Sequence, residues 1–181
     1  KRILIEKNTT IYEAFYSGYS KILAEHNIAK TKEAITYGCE DVEFNPGLID
    51  YFENYATQEN GISNYIVTSG IEDYVKATKI AKYVSGIYGV QYNIVDGIYD
   101  EVLFMLDDKQ KPNIIKKIIG ENNKEEIIYI GDGMTDEDAF KYVKSIGGYT
   151  IFVGESEEDK KVYQNLKENG IIDKYCLKDY S

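Results

Sequence analysis

Two carboxylates, Asp132 and Asp136, stand four residues apart in the run Ile127-Ile128-Tyr129-Ile130-Gly131-Asp132-Gly133-Met134-Thr135-Asp136-Glu137-Asp138. Little side-chain bulk separates them, and oxygen ligands of this kind suit a hard cation such as Mg²⁺. Asp136, Glu137 and Asp138 also suit the positive end of a helix dipole, which is reason enough for an acidic first turn. Asp132 has no such explanation. It lies between Gly131 and Gly133, and glycine lets another group approach the backbone closely.

The elements that must position these groups follow from the flanking residues. The apolar run Ile127–Ile130, stopped by glycine, predicts a buried parallel strand, with Asp132 at its carboxyl end. From Thr135, a helix cap by type, Ala139, Phe140, Val143 and Ile146 recur at helical spacing. The unit is strand, acidic turn, helix. In open α/β sheets ligands bind where strands end.

Gly131-Asp132-Gly133-Met134-Thr135-Asp136 resembles the fourth motif of the haloacid dehalogenase-like (HAD) hydrolases, whose typical members are Mg²⁺-dependent phosphatases working through an aspartyl-phosphate. The resemblance implies three further motifs. The second, a hydroxyl at a strand end that holds a phosphoryl oxygen, is matched by Thr68 in Asn64-Tyr65-Ile66-Val67-Thr68-Ser69-Gly70, with Ser69 and Gly70 extending the turn. The helix expected after it, carrying Ile71, Tyr74, Val75, Thr78 and Ala81 on one side, aims its N-terminus at the same place, and such a terminus favours anions. The third, a charge-neutralising lysine at a helix start, is matched by Lys111, with Lys109 in reserve; Pro112 suits the first turn of a helix bearing Ile114, Ile115, Ile118 and Ile119.

The first motif departs from the family pattern. The family has a strand ending in Asp-x-Asp-x-Thr, nucleophile first and general acid/base second; the nearest match is Ile3-Leu4-Ile5-Glu6-Lys7-Asn8-Thr9-Thr10. Glu6 keeps a carboxylate that can bind metal, but its extra methylene moves it on the order of 1.5 Å, a misplacement that can cost about a hundredfold in rate. Asn8 exchanges no proton near neutral pH, so the acid/base contribution of roughly 10²–10⁴ is lost with it. Three explanations stand side by side: a degenerate member that binds without turnover, a site altered to trap a ligand, or a true first motif upstream of Lys1. In the last case residues 1–45 belong to an insert.

The remaining chain supplies the frame. Ile11, Tyr12, Phe15, Tyr19, Ile22 and Leu23 predict an amphipathic helix, and Thr31–Tyr37 a second one stopped at Gly38. Residues 11–45 are expected to form a small helical cap or insert. Asn45-Pro46-Gly47 is a turn leading into a helix at Leu48–Tyr55. Asp96-Gly97 predicts a β-hairpin near the sheet edge, Tyr149–Gly154 a buried strand, Ser156–Glu168 a charged amphipathic helix and Ile171–Leu177 a short last strand. Strands alternating with helices imply an α/β fold: a doubly wound, mainly parallel sheet in one HAD-like domain over residues 1–181.

Composition limits the partners. With 31 acidic and 21 basic side chains in 181 residues the net charge is −10, which argues against nucleic acid or anionic membranes. Cys39 and Cys176 are too few and too far apart for a disulfide framework or a cysteine zinc site, and His26, the one histidine, is expected at a surface helix end. Reduced thiols in a cytoplasmic setting are expected; no stretch approaches membrane-spanning length and no signal peptide precedes the first expected strand. The 18 tyrosines are spread along the chain, a compositional bias. Two functions follow: a HAD-like phosphohydrolase using Mg²⁺ on a small phosphorylated substrate, or an inactive HAD-fold module binding a phosphorylated ligand or a protein partner. A nucleotide-binding doubly wound domain fits less well, since no Gly-x-Gly-x-x-Gly follows a strand.

Overall fold

The computed structural model describes residues 11–120 and 125–180; Glu6, Asn8 and the strand expected before them lie outside the described residues. The described elements are α1 (Ile11–Glu25), α2 (Lys32–Thr36), α3 (Leu48–Asn54), β1 (Tyr65–Ile71), α4 (Glu72–Lys76), β2 (Gly86–Val95), β3 (Ile98–Phe104), α5 (Lys111–Ile119), β4 (Ile128–Gly131), α6 (Glu137–Ser145), β5 (Tyr149–Val153), α7 (Glu157–Glu168) and β6 (Lys174–Cys176). They form two three-stranded sheets, in the orders β1-β2-β3 and β4-β5-β6. All pairings are parallel except β2 with β3, whose hairpin turns at Asp96-Gly97. Both turn residues have φ near +50° to +80°, the backbone that a two-residue hairpin turn requires.

α5 holds the halves together, packing on β1 and on α6. The first half closes over Tyr16, Ile71, Val90 and Leu106, and the second over Phe140, Phe152, Leu166 and Ile172, with Ile115, Ala139 and Val143 filling the seam under α5. Tyr129 of β4 touches both of the latter clusters. α7 starts on a capping box in which the Ser156 hydroxyl and the Asp159 carboxylate each satisfy a backbone N–H.

Four expectations are corrected. Residues 134–136 form a 3-10 turn before α6 and Thr135 makes no cap, because the Asp136 carboxylate is turned back under β4. The helix expected from Ile71 is only the five-residue α4, followed by a 3-10 turn at Lys79–Tyr83. Thr78 ends it by returning its hydroxyl to the Val75 carbonyl at 2.7 Å. So short a helix has little dipole, and its first residue, the buried Glu72, accepts hydrogen bonds from Gly89 N–H and Gln91 Nε2, so it is no anion site.

β4 is buried on one side only: Ile128 and Ile130 are 61% and 41% exposed, and among the described residues β4 pairs on one edge, with β5. In α1 the face that enters the core carries Ala14, Tyr16 and Leu23, whereas Phe15 and Ile22 stay more than half exposed. Leu23 and Tyr19 of the expected face still meet the core, but the helix is turned so that Tyr16 takes the place expected of Phe15 and Ile22 and donates from its hydroxyl to the Ser69 carbonyl at 2.7 Å. Residues 11–45, expected as a cap, thus carry a helix whose Tyr16 lies in the core of the β1–β3 half.

Candidate active site

The centre of the site is Asp136, 6% exposed. Its Oδ1 accepts from the Lys111 ammonium at 2.7 Å and from the Tyr129 hydroxyl at 2.7 Å, and its Oδ2 accepts from the Asp132 backbone N–H at 3.1 Å. Three donors are tied to one carboxylate. β4 delivers Tyr129 and the Asp132 N–H, the first residue of α5 delivers Lys111, and the 3-10 turn folds Asp136 back between them.

Gly131 makes this possible: a Cβ there would lie 2.8 Å from the Asp136 carboxylate and 2.8 Å from the Phe140 ring. The close approach predicted at the two glycines is therefore made at Gly131 by the protein's own groups. At Gly133 the nearest atom to a Cβ would be 3.9 Å away, which leaves open space beside Asp132.

The Lys111–Asp136 pair is closed, with side chains 6% and 8% exposed. A charge pair this buried tolerates little loss of either partner. Burial, together with the charge of Asp136 and the hydrogen bond to it, pushes the Tyr129 phenol far above its ordinary value, so it stays a neutral donor.

Asp132 faces the other way. Its side chain is 58% exposed, and Oδ2 accepts from the Lys178 ammonium at 2.8 Å. That hydrogen bond holds Lys178 above its ordinary pKa, with Asp159 and Glu155 adding to it. Lys178 belongs to a strap that leaves β6 and is fastened beyond the site, where the Tyr180 N–H donates to the Pro46 carbonyl at 2.8 Å and its ring meets Tyr51 at 6.0 Å.

The end of β1 lies on the other flank. Pairing with β2 breaks between Val67 and Ile71, so Thr68-Ser69-Gly70 bulges from the ladder. Thr68 Oγ1 accepts from the Gly70 N–H at 3.0 Å, and among the described residues its own proton has no acceptor. The Ser69 hydroxyl is buried with no partner in hydrogen-bond geometry among the described residues. Burial raises the Tyr12 phenol above its ordinary value, the Ser69 side chain opposes that, and the charges of Asp108, Asp107 and Asp136 raise it further.

Asp136 thus joins Lys111 and the Asp132 backbone N–H directly, and Thr68 and Gly70 bond to each other at the end of β1. Tyr129, Tyr12 and Lys178 are the members that sequence reasoning missed. Tyr129 left a trace as the single polar-tipped residue among the isoleucines of β4; for Lys178 the sequence carried no signal. Among the described residues no group of three His, Cys, Asp or Glu side chains is gathered to hold a metal ion.

No protein-family model matches the sequence. Two solved structures resemble the fold: a HAD family hydrolase from Salmonella enterica serovar Typhi, with a TM-score of 0.60 at 15% identity over 82% of this chain and 56% of that one, and a probable phosphoserine phosphatase from Vibrio cholerae, unliganded, with 0.55 at 14% over 82% and 50%. The chain has the HAD-like fold. A curated relative, trehalose-phosphate phosphatase B of Arabidopsis thaliana, is 33% identical over 72 residues, 38% of this chain and 19% of that protein. The chain therefore spans about half the length of these HAD-like structures and about a fifth of the curated relative. Among the described residues no helix is long and apolar enough to cross a membrane.

Proposed function

We propose that this HAD-like domain is a phosphohydrolase domain acting on a small phosphomonoester with the help of Mg²⁺. The observation that carries the reading is the Lys111–Asp136–Asp132 cluster at the carboxyl end of β4, built from the third and fourth motifs in hydrogen-bond contact. The donor set fits the ion. Mg²⁺ is usually held by one or two carboxylates, with waters and substrate phosphate completing its shell, and Asp132 is the exposed carboxylate here. Glu6 is the second proposed ligand.

Asp136 supports the ion indirectly. Three of its roughly four lone-pair directions are filled by Lys111, Tyr129 and the Asp132 N–H, so it orients the ligand beside it. Thr68, Ser69, Gly70 and Lys111 are the proposed phosphate-binding set: hydroxyl and backbone donors on one side, and a fixed ammonium on the other that offsets the charge of phosphate and carboxylates. When bound, Mg²⁺ supplies charge neutralisation at the phosphoryl oxygens. In the family pattern nucleophilic attack and proton transfer belong to the positions of Glu6 and Asn8.

Asn8 favours the second reading, a HAD-fold module that binds a phosphorylated ligand or protein partner without turnover, because an amide transfers no proton near neutral pH. The 33% identity to a trehalose-phosphate phosphatase makes sugar phosphates the first substrates to test. The free cysteines Cys39 and Cys176 suit a reducing, cytoplasmic setting.

The test is phosphate release from a sugar phosphate and an aryl phosphate, with Mg²⁺ and with a chelator, by the native chain and by Glu6→Asp/Asn8→Asp. Chelator-sensitive turnover by the native chain supports the enzyme. Turnover only in the double variant supports the binding module. Neither protein turning over or binding phosphate, with both folded, refutes the phosphohydrolase reading and leaves the second reading only its protein partner.

A further inference from the structure

The phosphate-binding set contains one lysine found from sequence, Lys111, and its charge is committed. Its ammonium is buried with the Asp136 carboxylate in a closed pair, 6% and 8% exposed, so the pair presents little net charge to an incoming anion. The ammonium that does reach solvent beside Asp132 is Lys178, 29% exposed, at 2.8 Å from Oδ2.

We propose that Lys178 is a substrate-binding residue that contacts the phosphate group of the ligand; this rests on the phosphomonoester reading of the site. Three features carry it. Lys178 pairs with Asp132, the exposed carboxylate whose neighbour Gly133 has no atom nearer than 3.9 Å to where a Cβ would stand. Its pair with Asp132 is solvent-exposed, the kind of ion pair that exchanges partners readily. Its backbone is fastened on both sides, by β6 pairing with β5 before it and by the Tyr180 N–H on the Pro46 carbonyl after it, so the head swings while the root stays at the site.

A cation taking up Asp132 displaces the ammonium from that carboxylate. A phosphate dianion with three acceptor oxygens then offers it a stronger partner than the carboxylate it has left. Lys111 thereby holds Asp136 and offsets charge as the fixed ammonium, and Lys178 adds a second, movable ammonium that meets the phosphate.

The experiment is calorimetric titration of inorganic phosphate into the purified chain at saturating Mg²⁺, for the native protein, Lys178→Met, Lys178→Arg and the strand control Lys174→Met, with melting temperatures as a fold check. Loss of one charge-assisted contact is expected to raise the phosphate Kd about tenfold in Lys178→Met. Lys178→Arg should recover most of the affinity and Lys174→Met all of it. Mg²⁺ alone should bind Lys178→Met at least as tightly as the native chain, because the competing ammonium is gone. If Lys178→Met melts early, Lys178→Gln replaces it.

Equal phosphate affinity in Lys178→Met and the native chain overturns the assignment. Failure of the native chain to bind phosphate overturns the phosphomonoester reading itself, and Lys178 with it. Weakened Mg²⁺ binding in the variant would show that Lys178 holds Asp132 in shape, which also refutes the proposal.

Discussion

Tyr129→Phe removes one oxygen from the centre of the site and almost nothing else. The ring still meets Phe140 edge-on at 5.2 Å, so no cavity opens. What is lost is the 2.7 Å hydrogen bond to Asp136 Oδ1, which then keeps Lys111 alone. A hydrogen bond to a charged acceptor contributes about 1.5–3 kcal/mol, which for a domain of this size lowers the melting temperature by roughly 2–4 °C per kcal/mol. Alkaline pH separates this cause from a packing defect. Burial and Asp136 hold the phenol well above its ordinary value in the folded state, so the folded protein keeps a proton that the unfolded chain releases near pH ~10. The stabilisation by Tyr129 is therefore fully present below that pH and declines above it by about 1.4 kcal/mol per pH unit. Urea unfolding of both proteins at pH 7, 9 and 10.5 reads the difference. It should be constant between the first two and smaller at the third. No loss at pH 7, or a difference that persists unchanged above pH 10, would show that the Tyr129 hydroxyl does not stabilise Asp136.

The same geometry predicts other outcomes. Asp136→Asn leaves the Lys111 ammonium buried without its anion, and breaking a buried pair in this way costs about 3–5 kcal/mol, readable as a lower urea midpoint; an unchanged midpoint contradicts the closed pair. Gly131→Ala places a methyl 2.8 Å from the Asp136 carboxylate and the Phe140 ring, an overpacking that costs about 1–3 kcal/mol. Gly133→Ala, with extended backbone and its nearest neighbour 3.9 Å away, should melt with the native protein. Phe140→Ala, fully buried between Tyr129 and Phe152, should lose about 3–5 kcal/mol and disorder β4 with it.

What could be read from the sequence was what depends on neighbours in the chain. The apolar run ending at Gly131 placed β4 and put Asp132 at its tip, and Pro112 followed by paired isoleucines placed Lys111 at the start of α5. Asp96-Gly97 placed the hairpin because its turn demands positive φ. The misses depend on contacts between distant segments. Thr135 has a cap residue's chemistry, but a longer-range demand, the Asp136 carboxylate serving Lys111 and the Asp132 N–H, set the backbone there. The periodicity of α1 is compatible with two neighbouring faces, and only the bulge at Ser69, which receives the Tyr16 hydroxyl, selects between them. Lys178 is one of many lysines until the strap from β6 to Pro46 brings it to Asp132.

The proposed role of Asp132 is to hold a divalent cation that Asp136 helps to position. Mn²⁺ titration followed by electron paramagnetic resonance, on the native chain and on Asp132→Asn, decides it. Mn²⁺ should bind the native chain and be displaced by Mg²⁺, and this binding should be lost in an Asp132→Asn protein that still melts like the native one. Undiminished Mn²⁺ binding in that variant would place the ion elsewhere and rule out this role for Asp132.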